Sequence, residues 1–271
     1  DKNVADMKSL GFDTIRIWAS WDEQGKLTDP KDITTANAYI DAGVNVILQL
    51  TPKMNLPTVP YPTAARDAIC KPRTNGGLDR RAKLFLINEP NIDNVDAESK
   101  HSWYWPNGNW RDAFAMASRL SSDFQPAGFE TGSPCFTWQT AGDIGRWWGE
   151  AIAKGWSNFD YIDGHNYPKL GSVADKVAEF EAVLVQYKAV AKLLGKNTAC
   201  SEWGMYGDKS KFAEAFPLFD AVVKKHTDAS AYFIMRETTA HSKYGLHLID
   251  AGGNRTALGT AAAAVASQPV A

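Results

Sequence analysis

With 271 residues, a formal net charge of -2 and acidic and basic residues well mixed, the chain lacks the basic surface that tracks phosphates. No run of about 18 apolar residues offers a membrane span, and the length suits one α/β barrel of roughly 250 residues without a second domain. The expectation is therefore a single domain over 1–271, monomeric, acting on a small neutral molecule or a polymer, with neither nucleic acid nor membrane as partner.

Val4 to Leu10 reads as a helix closed by Gly11, followed by the strand-like run Thr14-Ile15-Arg16-Ile17-Trp18. Similar runs recur at Val44 to Leu50, Leu84 to Ile87, Phe129 to Gly132, Tyr161 to Gly164, Thr198 to Ser201 and Ala231 to Ile234. They end near Arg16, Thr51, Glu89, Ser133, His165, Glu202 and Met235, at intervals of 32 to 44 residues. One strand, one helix and two loops need about that length, so the series counts seven βα units. Helical patterns fill the gaps at Thr34 to Ala42, Trp110 to Phe124, Ile144 to Lys154, Val173 to Leu194, Lys211 to His226 and Thr256 to Ala266. Within the fourth of these, Val177, Phe180, Val183 and Leu184 form an apolar stripe. Gly43, Gly128 and Gly195 stand where left-handed helix caps are needed. Thr51 to Leu84, rich in proline and carrying Gly76-Gly77, reads as an oversized loop walling a cleft and able to bring Lys53, Asn55 or Tyr61 to a substrate. The fold expected is an α/β (β/α)8 TIM barrel whose first strand is missing from the chain or lies upstream of Asp1, because a closed barrel leaves no unpaired parallel edge.

Two segments carry the chemistry. Leu86-Ile87-Asn88-Glu89-Pro90-Asn91 and Ala199-Cys200-Ser201-Glu202-Trp203-Gly204 each set a glutamate just past an apolar run, 113 positions apart. Strand ends at one barrel mouth are where such enzymes keep their reacting groups, and two carboxylates there suffice to break a glycosidic bond, one protonating the leaving oxygen and one attacking the anomeric carbon. Pro90 is expected to force Glu89 into extended geometry. Trp203 is expected to form an aromatic wall beside Glu202. Seven of the ten tryptophans fall between the two motifs, and Trp138 is singled out among them as a sugar platform, while most of the others are assigned to the core.

In these motifs the chain resembles the clan A glycoside hydrolases, the retaining (β/α)8 enzymes that include families 5 and 39. The resemblance implies that Glu89, following Asn88, is the acid/base at the end of the fourth strand, and that Glu202 is the nucleophile at the end of the seventh. It also matches Arg16 to the strand-two arginine that contacts the nucleophile, and His165 and Tyr167, in Asp163-Gly164-His165-Asn166-Tyr167-Pro168, to the strand-six pair. His165 is assigned to substrate positioning. The implied activity is double displacement on a β-linked poly- or oligosaccharide; loops with many aromatics suit an open groove and so endo action, and no cofactor and no metal are expected. Glu89 is expected to hold its proton and Glu202 its charge. Where clan members carry a tryptophan at the end of strand eight, this chain offers Met235 or Arg236. An extracellular or periplasmic location is expected, the chain then beginning after a removed signal peptide.

Two other readings stand beside this one. A barrel that binds glycan without cleaving it has no use for two positioned carboxylates, although the missing strand and the missing strand-eight tryptophan favour it. A metal-dependent hydrolase would draw on His165, His226, His241 and His247, but no ligand spacing joins them, and Cys70, Cys135 and Cys200 add none.

Overall fold

The computed structural model describes residues 2–53, 56–91, 105, 109–137, 139–168, 172–204, 209–232 and 248–267. Seven strands, β1 (Thr14–Trp21), β2 (Asn45–Pro52), β3 (Lys83–Leu86), β4 (Glu130–Gly132), β5 (Tyr161–Asn166), β6 (Asn197–Trp203) and β7 (Ala229–Tyr232), pair in chain order, all parallel. The sheet curls into a barrel of the (β/α)8 type, with helices outside it. Before β1 lies α1 (Lys2–Ser9), so the N-terminal residues are helical, as their pattern predicts.

The intervening helices are α2 (Lys31–Asp41), α3 (Thr63–Cys70), α4 (Trp110–Phe124), α5 (Ala141–Ala153), α6 (Val173–Leu194), α7 (Lys209–His226) and α8 (Ala257–Ala266). Helix α6 buries Phe180, Val183, Leu184 and Tyr187 along the stripe visible in its sequence, and Gly11, Gly43, Gly128 and Gly195 all adopt positive φ. The exception is α3. The stretch 51–84 is not a plain loop: it holds α3 and a 3-10 turn at Arg73–Asn75. Tyr61 turns its hydroxyl to Asp123 of α4 and stacks under Arg119, so it serves packing on the outer layer instead of the cleft.

The edges β1 and β7 approach each other without a hydrogen-bonded pairing among the described residues. Phe12 and Tyr232 stack across this seam with ring centroids 5.9 Å apart. Helix α8 lies over it: Leu258 and Ala262 join Leu10 in one apolar cluster, and Arg255 donates to the Ser9 carbonyl at 3.2 Å. Gly11 abuts Ala266 so closely that a Cβ there would sit 2.2 Å from the alanine methyl.

Inside the barrel the side chains form layers. Ile47, Phe85, Tyr161 and Ala199 make an apolar floor, with Gly132 leaving space for the Phe85 ring. Two residues further along the strands, Gln49, Asp163 and Ser201 are buried polar groups at the next level, as the period of two dictates. Gly164 lies between Asp163 and His165 on β5 and faces outward, where Tyr187 of α6 fills the space. A Cβ at Gly164 would lie 2.2 Å from the Tyr187 ring. Gly164→Ala is therefore expected to lower stability by about 1–3 kcal/mol through overpacking, measured as a lower denaturant midpoint. Gly145→Ala, which meets nothing within 4 Å, serves as the control.

Candidate active site

Glu89 and Glu202 meet at the mouth of the barrel. His165 at the end of β5 lies between them, with Nδ1 2.8 Å from Glu89 Oε1 and 3.8 Å from Glu202 Oε2, and the donor atoms of the three residues all lie within 4.8 Å of one another. Both carboxylates are nearly buried, and each retains a small opening to solvent.

Local backbone makes this convergence possible. Beyond β3 the chain leaves regular strand geometry, with Ile87 at φ 60° and Glu89 at φ 39°. Pro90 thus does not impose an extended Glu89, contrary to the sequence expectation. The left-handed turn is held by surrounding bonds: Ile87 N–H to the Leu50 carbonyl at 2.8 Å, Asn88 N–H to Thr51 Oγ1 at 3.2 Å and Glu89 N–H to Cys135 Sγ at 3.5 Å. Strain of this kind, of order 1–3 kcal/mol per residue, persists only where neighbours over-determine it. On the other side, register shifts interrupt the ladder of β6 with both β5 and β7. The irregularity turns the consecutive residues Ser201 and Glu202 toward the same interior, which a regular strand cannot do.

Arg16, from β1, reaches across the interior. Its guanidinium pairs with Glu202 and donates to Asn88 Oδ1 at 2.5 Å and Gln49 Oε1 at 2.9 Å. The Tyr167 hydroxyl donates to the second oxygen of Glu202. Glu202 therefore meets a cation and a hydroxyl donor, partners suited to a charged carboxylate. Glu89 differs. Burial pushes its carboxyl up to about 7, against the pull of the Arg16 charge, while burial holds His165 down at about 4 and so neutral. The proton expected on Glu89 has a structural cause.

Of the residues singled out from sequence, Arg16, Asn88, Glu89, His165, Tyr167 and Glu202 come together. Two assignments change. His165 is fully buried and bonded to Glu89 and Ser201, so its ring is committed to these side chains and presents no face to a substrate. Trp203 is also buried, packed against Phe216 and Tyr232 at 5.4 and 5.0 Å, because the residue after Glu202 points outward to the helices; it offers a substrate no face. Trp138, Asn55, His241, His247, Met235 and Arg236 lie outside the described residues. His226 bonds Glu181 on the outer helices, far from any shared cluster with His165. Sequence reading passed over Gln49, Asp163 and Ser201, whose signal was a polar residue inside a strand buried on both faces. It also passed over Trp18, which is half-buried two residues after Arg16 on the same face, with the guanidinium 4.8 Å from its ring centre. Among the described residues two groups have spacing that would admit a metal ion, Glu89 with His165 and Glu202, and Cys135 with Asp163 and His165, yet their donor atoms are committed to Arg16, Tyr167, Ser201, Asn88 and one another. Acid-base chemistry needs no more than they offer.

No family model and no curated protein sequence matches the chain. Solved structures do. A glucosidase from Croceicoccus marinus superposes at TM-score 0.70 with 12% identity over 97% of this chain, and the chain spans 62% of that protein's length. A family 128 endo-β-1,3-glucanase from Amycolatopsis mediterranei gives 0.57 with 17% identity over 97% of this chain and 94% of its own. A family 5 broad-specificity endoglucanase from Clostridium longisporum gives 0.62 with 13% identity, covering 97% and 84%. The chain has the fold of the clan A glycoside hydrolases. At these identities the likeness establishes architecture, in agreement with the resemblance carried by the sequence motifs.

Two outcomes follow from the site. Arg16→Met leaves Glu202 buried without its counter-charge and should destabilise the protein by about 3–5 kcal/mol; Arg16→Met with Glu202→Gln should recover part of this in denaturant titration. The second concerns pH. A Glu89 raised to about 7 binds its proton more tightly folded than unfolded, so its contribution to stability is lost as pH rises toward 7; a His165 lowered to about 4 does the opposite, contributing stability as pH rises from about 4 to its ordinary range. The two slopes oppose each other. Glu89→Gln should expose the histidine slope, giving stability that climbs more steeply between pH 4 and 6.5 than in the wild type.

Proposed function

We propose that the protein is a retaining β-glycoside hydrolase that cleaves β-glucan chains internally. The observation that carries this is the pair Glu89 and Glu202 at one mouth. One oxygen of each lies within 4.8 Å of the other, close to the roughly 5 Å that direct attack requires and too close for the intervening water of inversion. Opposite surroundings divide the roles. Glu89, with its carboxyl raised to about 7, protonates the departing glycosidic oxygen. Glu202, held by Arg16 and Tyr167, attacks the anomeric carbon. The ionised Glu89 then draws a proton from water, which releases the glycosyl group from Glu202. Trp18 stands at the mouth as an aromatic face for a pyranose. The β-glucan and the endo mode are supported by the structural neighbours, whose descriptions include endo-β-1,3-glucanase and endoglucanase. Such a substrate suits an extracellular or periplasmic setting.

Laminarin, mixed-linkage glucan and cellulose oligosaccharides supply the test. Products should keep the anomeric configuration, and kcat/KM should fall above about pH 7 as Glu89 ionises. Glu202→Gln should retain glycan binding while turnover drops by several orders of magnitude, and azide should partly rescue Glu202→Ala with an inverted product. Binding of the same glycans with no wild-type turnover would replace the enzyme by a glycan-binding barrel.

A further inference from the structure

Behind Glu89 runs a chain of buried polar groups that the double displacement does not itself require. Asp163, Ser201 and His165 are at most 1% exposed. Asp163 Oδ1 accepts the Ser201 backbone N–H at 2.9 Å, and Oδ2 accepts the Ser201 hydroxyl at 2.5 Å. Ser201 Oγ lies 3.2 Å from His165 Nε2, and His165 Nδ1 lies 2.8 Å from Glu89 Oε1. Each hydrogen bond in such a chain takes one proton, and a hydroxyl has one to give. With the Ser201 proton committed to Asp163, Ser201 Oγ meets His165 only as an acceptor, so Nε2 carries the imidazole hydrogen. A neutral imidazole has one hydrogen, which leaves Nδ1 bare.

We propose that Asp163 and Ser201 are positioning residues that fix His165 in the Nε2–H form, so that its bare Nδ1 accepts the proton of Glu89 and disfavours the ionised acid. This rests on the assignment of Glu89 as the acid. The chain is polar in one direction: Glu89 donates to His165, His165 to Ser201, Ser201 to Asp163. When Glu89 ionises, its oxygen faces a nitrogen lone pair, which makes the carboxylate a better base for the second half of the reaction. The other charged or titratable groups facing this assembly are Arg16 from β1, Cys135 after β4, Tyr167 after β5, Tyr187 from α6, and Cys200 and Glu202 from β6. Burial leaves the Asp163 carboxyl raised above its ordinary range, and the Ser201 donors and the Arg16 charge draw it back in part. The backbone holds the line taut, since His165 N–H donates to the Phe136 carbonyl at 2.9 Å and Gln139 Nε2 donates to the His165 carbonyl at 2.9 Å.

Nitrogen-15 NMR of histidine-labelled protein, with His165→Gln to assign the signal, reads the tautomer directly. The wild type should show His165 protonated at Nε2 at pH 6. Ser201→Ala removes the acceptor at Nε2 and lets the imidazole hydrogen move to Nδ1, where it donates to the Glu89 carboxylate; the alkaline limb of kcat/KM should then move to lower pH by about one pH unit. Ser201→Thr, which keeps the hydroxyl, should restore both tautomer and limb. Should Ser201→Ala fail to fold, Asp163→Asn probes the same link, because an amide frees the Ser201 hydroxyl to donate to Nε2. A wild-type Nδ1–H tautomer, or a limb and tautomer unmoved in folded Ser201→Ala and Asp163→Asn, would overturn the proposal; a uniform loss of kcat at every pH would mark the two residues as structural only. The tautomer measurement needs no substrate. A wild type without glycosidase activity but protonated at Nε2 would support the chain while removing the enzymatic reading.

Discussion

One guanidinium organises the interior of this barrel. Arg16 rises from β1 between the apolar floor and the mouth and bonds Gln49 within β2, Asn88 just past β3 and Glu202 near the end of β6. A lone charge at that depth would cost several kcal/mol, as would the Glu202 carboxylate alone, and the two are tolerable because they neutralise each other with hydrogen bonds left to share. The pairing also sets the position of the catalytic candidates. Asn88 adjoins Glu89, so the arginine that holds Glu202 also holds the segment carrying its partner, and the separation of the carboxylates depends on a single planar group with fixed geometry.

Regular strands could not have delivered this arrangement. A side-chain period of two sends alternate residues outward, and a glutamate reaches the mouth together with a polar neighbour only where the ladder is broken. Breaks occur at both carriers. The end of β3 uses two residues at positive φ, and β6 uses register shifts against both of its neighbours. The isolated bridges Asn88 to Cys135 and Phe136 to Gly164 stitch the segments together above the regular ladder, so the irregular backbone stays inside the sheet instead of fraying into a loop.

The same distinction explains what could be read from the amino acids. Periodic elements were legible: seven strands at nearly even intervals, α6 from its apolar stripe, and left-handed glycine caps such as Gly195. Five of the six residues that converge were legible because each stands at or just past a strand end, while Arg16, third in β1, was legible from the motif it shares with the clan. What failed was parity at the breaks. Trp203 was expected at the mouth on the strength of standing beside Glu202, whereas the chain returns it to the outer core. Glu89 was expected in extended form because proline restricts its predecessor, and tertiary hydrogen bonds overrule that local preference. Helix α3 escaped notice because it is eight residues long, enters from Pro62 and buries only Ala65 and Ile69, too short a stripe to stand out among prolines.

Glu89 and Glu202 are chemically identical groups separated by less than the width of a sugar ring, and burial alone would act on both alike. Their difference comes from the hydrogens presented to them. Glu202 receives only donors, a guanidinium and a phenol, so charge on it is matched at both oxygens. Glu89 has an imidazole that burial keeps neutral, and an imidazole without a proton can face a carboxyl as either donor or acceptor. Burial disfavours the charged form of Glu89, and the position of one imidazole hydrogen on His165 decides whether that penalty is relieved or kept. The asymmetry that the proposed glycosidic cleavage requires is thus located less in the two glutamates than in the strands β1 and β5 that face them.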